Sequence, residues 1–331
     1  MKFTSQLSLV FLFTYSASAA VVAKPDASSS DFGPLLIRAQ APLQSSSVST
    51  KIRNAFQSVN HEVYASASMA SIWAINDDYT MDYYQNDLQF GGQYAFESGT
   101  KIELTYLYRF AANNHLDSLS IAFHDAIGLG QNGREDVDKH RFVIDAPNYI
   151  DAPITDFANE TLNNVWELYF EQNLYQSAPD SLGAHHALSL GATLFYNYVG
   201  HGPFADHSFE QSAQLNYSVN FDHQHYLYTL ASLSHRDSTD IENFRFKEWT
   251  YSLGAGYQYR YDDKHSFLAE MQIYEGIARD LEDLKESVYE FTLGYRYHYK
   301  QGAFEIAMIE NVINADNSAD IAFTFAYRHR L

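Results

Sequence analysis

From Glu62 to the last residue, large apolar side chains recur at every second position, the period of a strand with two unlike faces. In the first run Val63, Ala65, Ala67, Met69, Ser71, Trp73 and Ile75 form one face, with Tyr64, Ser66, Ser68 and Ala70 between them. The alternation returns in residues 88–96, 102–110, 166–170, 188–198, 213–221, 249–261, 267–273, 289–299, 304–308 and 320–331, with a strand of ambiguous pattern at 226–233. The pattern predicts twelve strands, and an even number brings the chain back to the side where the first strand began. A regular pattern kept up to Leu331 is expected of a last strand that pairs with the first instead of fraying.

Connection lengths alternate as well. Residues 97–100, 222–225, 262–264 and 300–302 are tight, whereas 112–160, 200–209, 236–248, 276–287 and 312–318 are long. Short turns on one side facing long loops on the other is the pattern of a transmembrane barrel, and a sandwich has no reason to sort its loops by parity. Two connections blur the rule, a short outer one at 76–80 and a middling inner one at 176–183. About ten residues at ~3.3 Å rise, tilted about 45°, project to about 23 Å, close to the ~25 Å apolar band of such barrels. Glu270, Glu290, Arg296, His298, Glu305 and Arg328 all fall between the apolar positions, which turns them toward a lumen. The expected fold is therefore all-β, an antiparallel up-and-down transmembrane barrel over residues 61–331 with one short helix in a long loop at 112–160.

The front of the chain carries Lys2, an apolar run from Leu7 to Tyr15 and small residues through Ala19, which reads as a secretory signal peptide over 1–19. Together with the barrel it places the protein in a bacterial outer membrane. Residues 20–60 are rich in Ser, Ala and Pro without a sustained period, and are expected to be an irregular periplasmic or plug segment. A loosely ordered periplasmic position is the preferred expectation, although Arg38, Lys51 and Arg53 would suit an acidic lumen.

Composition sharpens this picture. Aromatic residues make up 16% of the chain, with 26 Tyr, as interfacial girdles require. Mean hydropathy of −0.33 fits a barrel and a soluble protein equally. A formal charge of −20 argues against nucleic acid as a partner and favours cationic or neutral solutes. Outer-membrane lipid, lipopolysaccharide and the barrel-assembly machinery, reached through the C-terminal strand, are the expected partners. The chain has no Cys, so no disulfide framework or thiolate metal site is available.

Within the long loop, Leu116, Leu119, Phe123 and Ile127 recur at helical spacing, with Gly128 as a stop, which predicts an amphipathic helix in or over the barrel mouth. Phe123-His124-Asp125, Gly128-Leu129 and Gly133-Arg134 resemble the loop signature of an uncharacterised family of Gram-negative outer-membrane barrels. The leader from Gly33 to Leu43 and the approach to the last strand, Glu310-Asn311 and Ser318-Ala319-Asp320, are similar to that family too. Gly130, Ala39 and Ala319 depart from its usual residues. The resemblance implies a barrel and carries no catalytic residues with it.

Two readings of the loop follow. His124, Asp125, Arg134 and Glu135 form a polar constriction that selects what crosses the lumen, or the same charges pair with one another and dock the loop. Ser118, Ser120 and His124 invite a nucleophile and base, but nothing identifies an oxyanion hole or a third member. His185, His186, His223, His225 and His265 cluster at predicted turns, and His201 and His207 share one outer loop, without a metal-binding spacing. The Gly-rich stretch at 128–133 follows a helix and not a strand, so it is not a phosphate or dinucleotide loop. No catalytic residue, metal or cofactor is expected. The sequence favours a passive or gated diffusion channel for small solutes, over a structural barrel without a pore and a lipid-directed hydrolase.

Overall fold

A computed structural model describes residues 31–127, 133–134, 137–237, 240–241, 244–311, 313 and 315–331, with the backbone alone for 122–127, 240–241 and 315. The predicted signal peptide and the leader up to Ser30 lie outside the described residues.

Twelve long strands run antiparallel to their neighbours. They are β1 Glu62–Ile75, β2 Thr80–Ala95, β3 Thr100–Ala111, β4 Thr161–Gln176, β5 Ala184–Val199 and β6 Asp206–Phe221. The second half comprises β7 His225–Arg236, β8 Trp249–Arg260, β9 His265–Tyr274, β10 Val288–Tyr299, β11 Gly302–Asn311 and β12 Ala319–Arg330. The last strand pairs with the first, Ala67 opposite Phe325 and Val63 opposite His329, so the sheet closes and neither terminal strand exposes an edge. Tight inner turns include Asp222 and His223, whose φ of 51° and 56° give the twist that matches a two-stranded ribbon.

Alternation decides the two faces. Leu88, Phe90, Leu104, Trp166 and Phe170 are exposed on the outside, an apolar surface suited to lipid. The intervening Gln89, Glu103, Glu167 and Glu171 are buried inside. A closed barrel with an apolar exterior, polar interior and sorted loops is an outer-membrane architecture, and the short turns then face the periplasm.

The inside is filled by the chain's own leader. Residues 31–57 enter at the periplasmic end, rise along β9–β11, turn at the single-turn helix α1 Pro42–Ser45 and descend along β6, β7 and β3 to the start of β1. This corrects the expectation of a loosely ordered segment in the periplasm. A twelve-stranded barrel is too wide for inward side chains alone to fill, as they fill an eight-stranded one, and the leader occupies the remainder.

Four outer connections meet in one apolar cap. Phe157, Phe204, Phe244, Phe246, Leu281 and Leu284 belong to a single cluster that continues down to Leu35 and Ile37 of the leader. Phe157 and Phe204 lie 5.0 Å apart between ring centres, and Phe244 and Phe246 4.8 Å.

Candidate functional site: the plugged lumen

Two kinds of polar contact hold the plug. The first is ionic. Arg38 makes a bidentate pair with Glu167 of β4 at 2.8 and 3.0 Å. Lys51 lies 3.3 Å from both Glu167 and Glu103 of β3. Arg53 forks onto Glu103 and stacks 4.2 Å above the ring of Tyr169. Three cations from two limbs of the plug thus converge on two carboxylates of adjacent strands, and the Tyr64 hydroxyl adds a hydrogen bond to Glu103 at 2.6 Å.

The second kind satisfies the plug's backbone. Apart from α1 the plug has no regular structure, so its buried N–H groups need acceptors from elsewhere. Lumenal glutamates supply them. Glu270 accepts from Leu35 at 2.7 Å, Glu305 from Leu36 at 3.1 Å, Glu290 from Gln40 and Ala41 at 2.7 and 2.8 Å, and Glu210 from Val48 at 2.7 Å. Plug carbonyls are met in turn by lumenal arginines: Arg296 donates to Gly33 at 2.7 Å, Arg328 to Pro34 at 2.9 Å, and Arg109, itself paired with Asp87 at 2.6 Å, to Ser45.

Glycines make room for the plug's apolar side chains. A Cβ on Gly254 of β8 would sit 2.8 Å from the Ile52 side chain, and one on Gly294 of β10 would collide with Leu35. A cavity of about 60 Å³ remains near the periplasmic end between Phe32, Arg53 and Arg328, room for a water or two.

Arg134 does not line this lumen. It is 3% exposed, pairs with Asp82 at 2.5 Å and with Asp117, and lies 4.6 Å above the Trp73 ring. Trp73 is opposite Asp82 and Ser71 opposite Tyr84 in an unbroken β1–β2 register, on the same face as the lipid-facing Leu88 and Phe90. Above the membrane band, the outer wall is therefore covered by the long loop, which buries Trp73 and Tyr84 to 4% and 0% exposure.

Helix α2, Leu116–Ile127, presents Leu116, Asp117 and Ser120 to the outside of the wall, where Asp117 meets Ser71 and Ser120 meets Asp320, and leaves Leu119 exposed. Asp117 accepts from Tyr84 and from the His140 N–H at 3.3 Å. Burial alone would raise its carboxyl, but the Tyr84 hydroxyl, Arg134 and the His140 N–H outweigh burial and hold it below the usual range.

Among the other expected loop residues, Gly133 adopts a φ of 74° and sets the turn into Arg134. Gly128, Leu129 and Glu135 lie outside the described residues, as do the side chains of Phe123, His124 and Asp125. The Ser120 hydroxyl donates to Asp320 of β12 and tethers α2. Turn histidines pair with tyrosines of the next strand, His186 with Tyr217 at 2.7 Å and His225 and His265 with Tyr257 and Tyr295 at 2.6 Å, as parts of an aromatic belt. Among the described residues no three His, Asp or Glu converge as a metal site.

The sequence profile of a family of proteins of unknown function, DUF3187, matches residues 11–331. The chain belongs to that family. The DUF3187 match covers leader and barrel together. No protein of curated function matches the sequence. Among solved structures the chain is similar to an outer membrane channel from Pseudomonas putida F1, with 9% identity and a TM-score of 0.50 over 82% of this chain and 95% of that one. It is also similar to the NanC porin, at 8% identity and a TM-score of 0.45, over 82% and 100% of the two chains. The KdgM porin gives 8%, 0.43, 82% and 99%. At these identities the likeness is one of fold.

Proposed function

We propose that this DUF3187 protein is an outer-membrane diffusion channel for small solutes, closed at rest by its own residues 31–57. The observation that carries the reading is the chemistry of the plug's seat. A permanent filling would be held best by apolar packing alone, whereas this one adds to the apolar contacts of Leu35, Val48, Ile52 and Phe56 a dense set of buried ion pairs and carboxylate-to-backbone bonds. Replacing buried ion pairs by apolar groups is often neutral or stabilising, so ionic seating gives little net affinity for its size. The strand pairings that close the wall involve no residue of the plug. The shared fold of the P. putida channel supports the same reading.

The absence of native cysteine makes a direct test simple. Thr50 and Ser232 hydroxyl oxygens are 2.8 Å apart across the plug and β7, so Thr50→Cys with Ser232→Cys places two thiols at bonding range. In planar bilayers, full-length protein carrying Glu290→Ala is expected to open, and the oxidised cysteine pair in the same chain to silence it until reduced. Folded barrels that stay silent in the Glu290→Ala form, or conduct equally with the lock closed, would show that the plug is not a gate.

A further inference from the structure

The strands bury ten carboxylates against five bases among the described residues, and the plug supplies Arg38, Lys51 and Arg53 against a single acid, Asp31. Of the strand carboxylates without a strand base, Asp82 meets Arg134 on the outer wall, Glu270 and Glu290 meet plug amides, and Glu103 and Glu167 meet the plug's cations. Glu103 and Glu167 are neighbours across β3 and β4, where Glu103 pairs with Tyr169 and Glu167 with Thr105 in the register. Both are almost fully buried, at 3% and 2% exposure. A guanidinium caps each, one fork on Glu167 and the other on Glu103, with an ammonium between them. The Tyr169 ring closes the far side of Arg53 as a cation–π face.

Planar forks on carboxylates and an aromatic lid form a recognition geometry for guanidinium, and an ammonium is accepted beside it. We infer that Glu103, Glu167 and Tyr169 form a binding site in the lumen for solutes bearing a guanidinium or primary ammonium group, occupied at rest by the plug's own cations. The plug is then an internal competitor for the site, and the solutes that pass are cationic. The selective charge lies at the carboxylates of β3 and β4 and not in the long outer loop. Access runs from the periplasmic cavity, whose lining includes Lys51 and Arg53. For entry from outside, this inference rests on the gated-channel reading; for binding, it does not.

Two measurements on the full-length chain separate the two ideas. Arg53→Ala empties the position over Tyr169 without touching the wall, and calorimetry with ethylguanidinium chloride is expected to show binding at least about tenfold tighter than in the wild type. Adding Glu103→Gln is expected to abolish it. In the Glu290→Ala channel, a potassium chloride gradient is expected to give a cation-directed reversal potential that Glu103→Gln with Glu167→Gln moves toward zero. Binding in Arg53→Ala with no current in Glu290→Ala keeps the site and overturns the gate. Current without cation preference, or with a preference indifferent to Glu103 and Glu167, overturns the site, as does the absence of ethylguanidinium binding in a folded Arg53→Ala barrel.

Discussion

Glu290 accepts the backbone N–H of Gln40 at 2.7 Å and that of Ala41 at 2.8 Å through one carboxylate oxygen, just before the plug turns at α1. A side chain of the wall thus takes the part that a neighbouring strand's carbonyl would take in a sheet. The plug can be irregular and still leave these two donors satisfied.

Removing that acceptor orphans both amides. Glu290→Ala is expected to weaken plug seating by about 1–3 kcal/mol per donor, because each buried N–H loses its partner. Hydrogen exchange at Gln40 and Ala41 would rise accordingly while exchange in β10 stays slow. Glu290→Gln keeps an acceptor and should fall between the two.

Space controls the same equilibrium. Gly254 lies beneath Ile52, and a Cβ there would approach its side chain to 2.8 Å. Gly254→Val should therefore displace the descending limb of the plug while leaving the barrel closed, since overpacking typically costs about 1–3 kcal/mol. Heat-modifiable migration on a gel should be preserved, with protease cutting within 46–57 accelerated.

Arg134 is expected to matter for the loop and not for conduction. Arg134→Ala leaves Asp117, at 0% side-chain exposure, a buried carboxylate without its guanidinium and Asp82 with only Arg141 at 3.6 Å, at a cost of about 3–5 kcal/mol. Limited proteolysis should then cut near residues 112–142 much faster. A change in ion selectivity in this variant, with the loop still protected, would contradict the placement of Arg134 on the outer wall.

Acid should loosen the same loop. The Asp117 carboxyl is held below its ordinary value of 3.8 in the folded protein, so its contribution is fully present above that value and is lost as pH falls through the lower, folded one. Protease protection of the loop should fall below about pH 4. Asp117→Asn should show weaker protection at neutral pH and lose this component of the pH dependence.

Much of the architecture is legible along the chain. All twelve strands, their closure and the inward phase of Glu270, Glu290, Arg296, Glu305 and Arg328 follow from alternation, because each residue's face is fixed by its immediate neighbours. Even Arg38, Lys51 and Arg53 of the leader signal an affinity for acidic surroundings. The alternation misleads at Trp73: its outward phase is right, yet its surroundings are protein and not lipid.

What the sequence determined is therefore the wall: strand number, the apolar exterior and the sorting of loops by length, each encoded at separations of a few residues. Only the tertiary structure decided what fills and covers that wall. Arg38 meets Glu167 across 129 positions, and Gln40 meets Glu290 across 250. Nothing local distinguishes those carboxylates from the others on the same inward face. Their partners are chosen by where a closed barrel brings the leader back against its own lumen, and by how the long loop folds over the outside of β1 and β2.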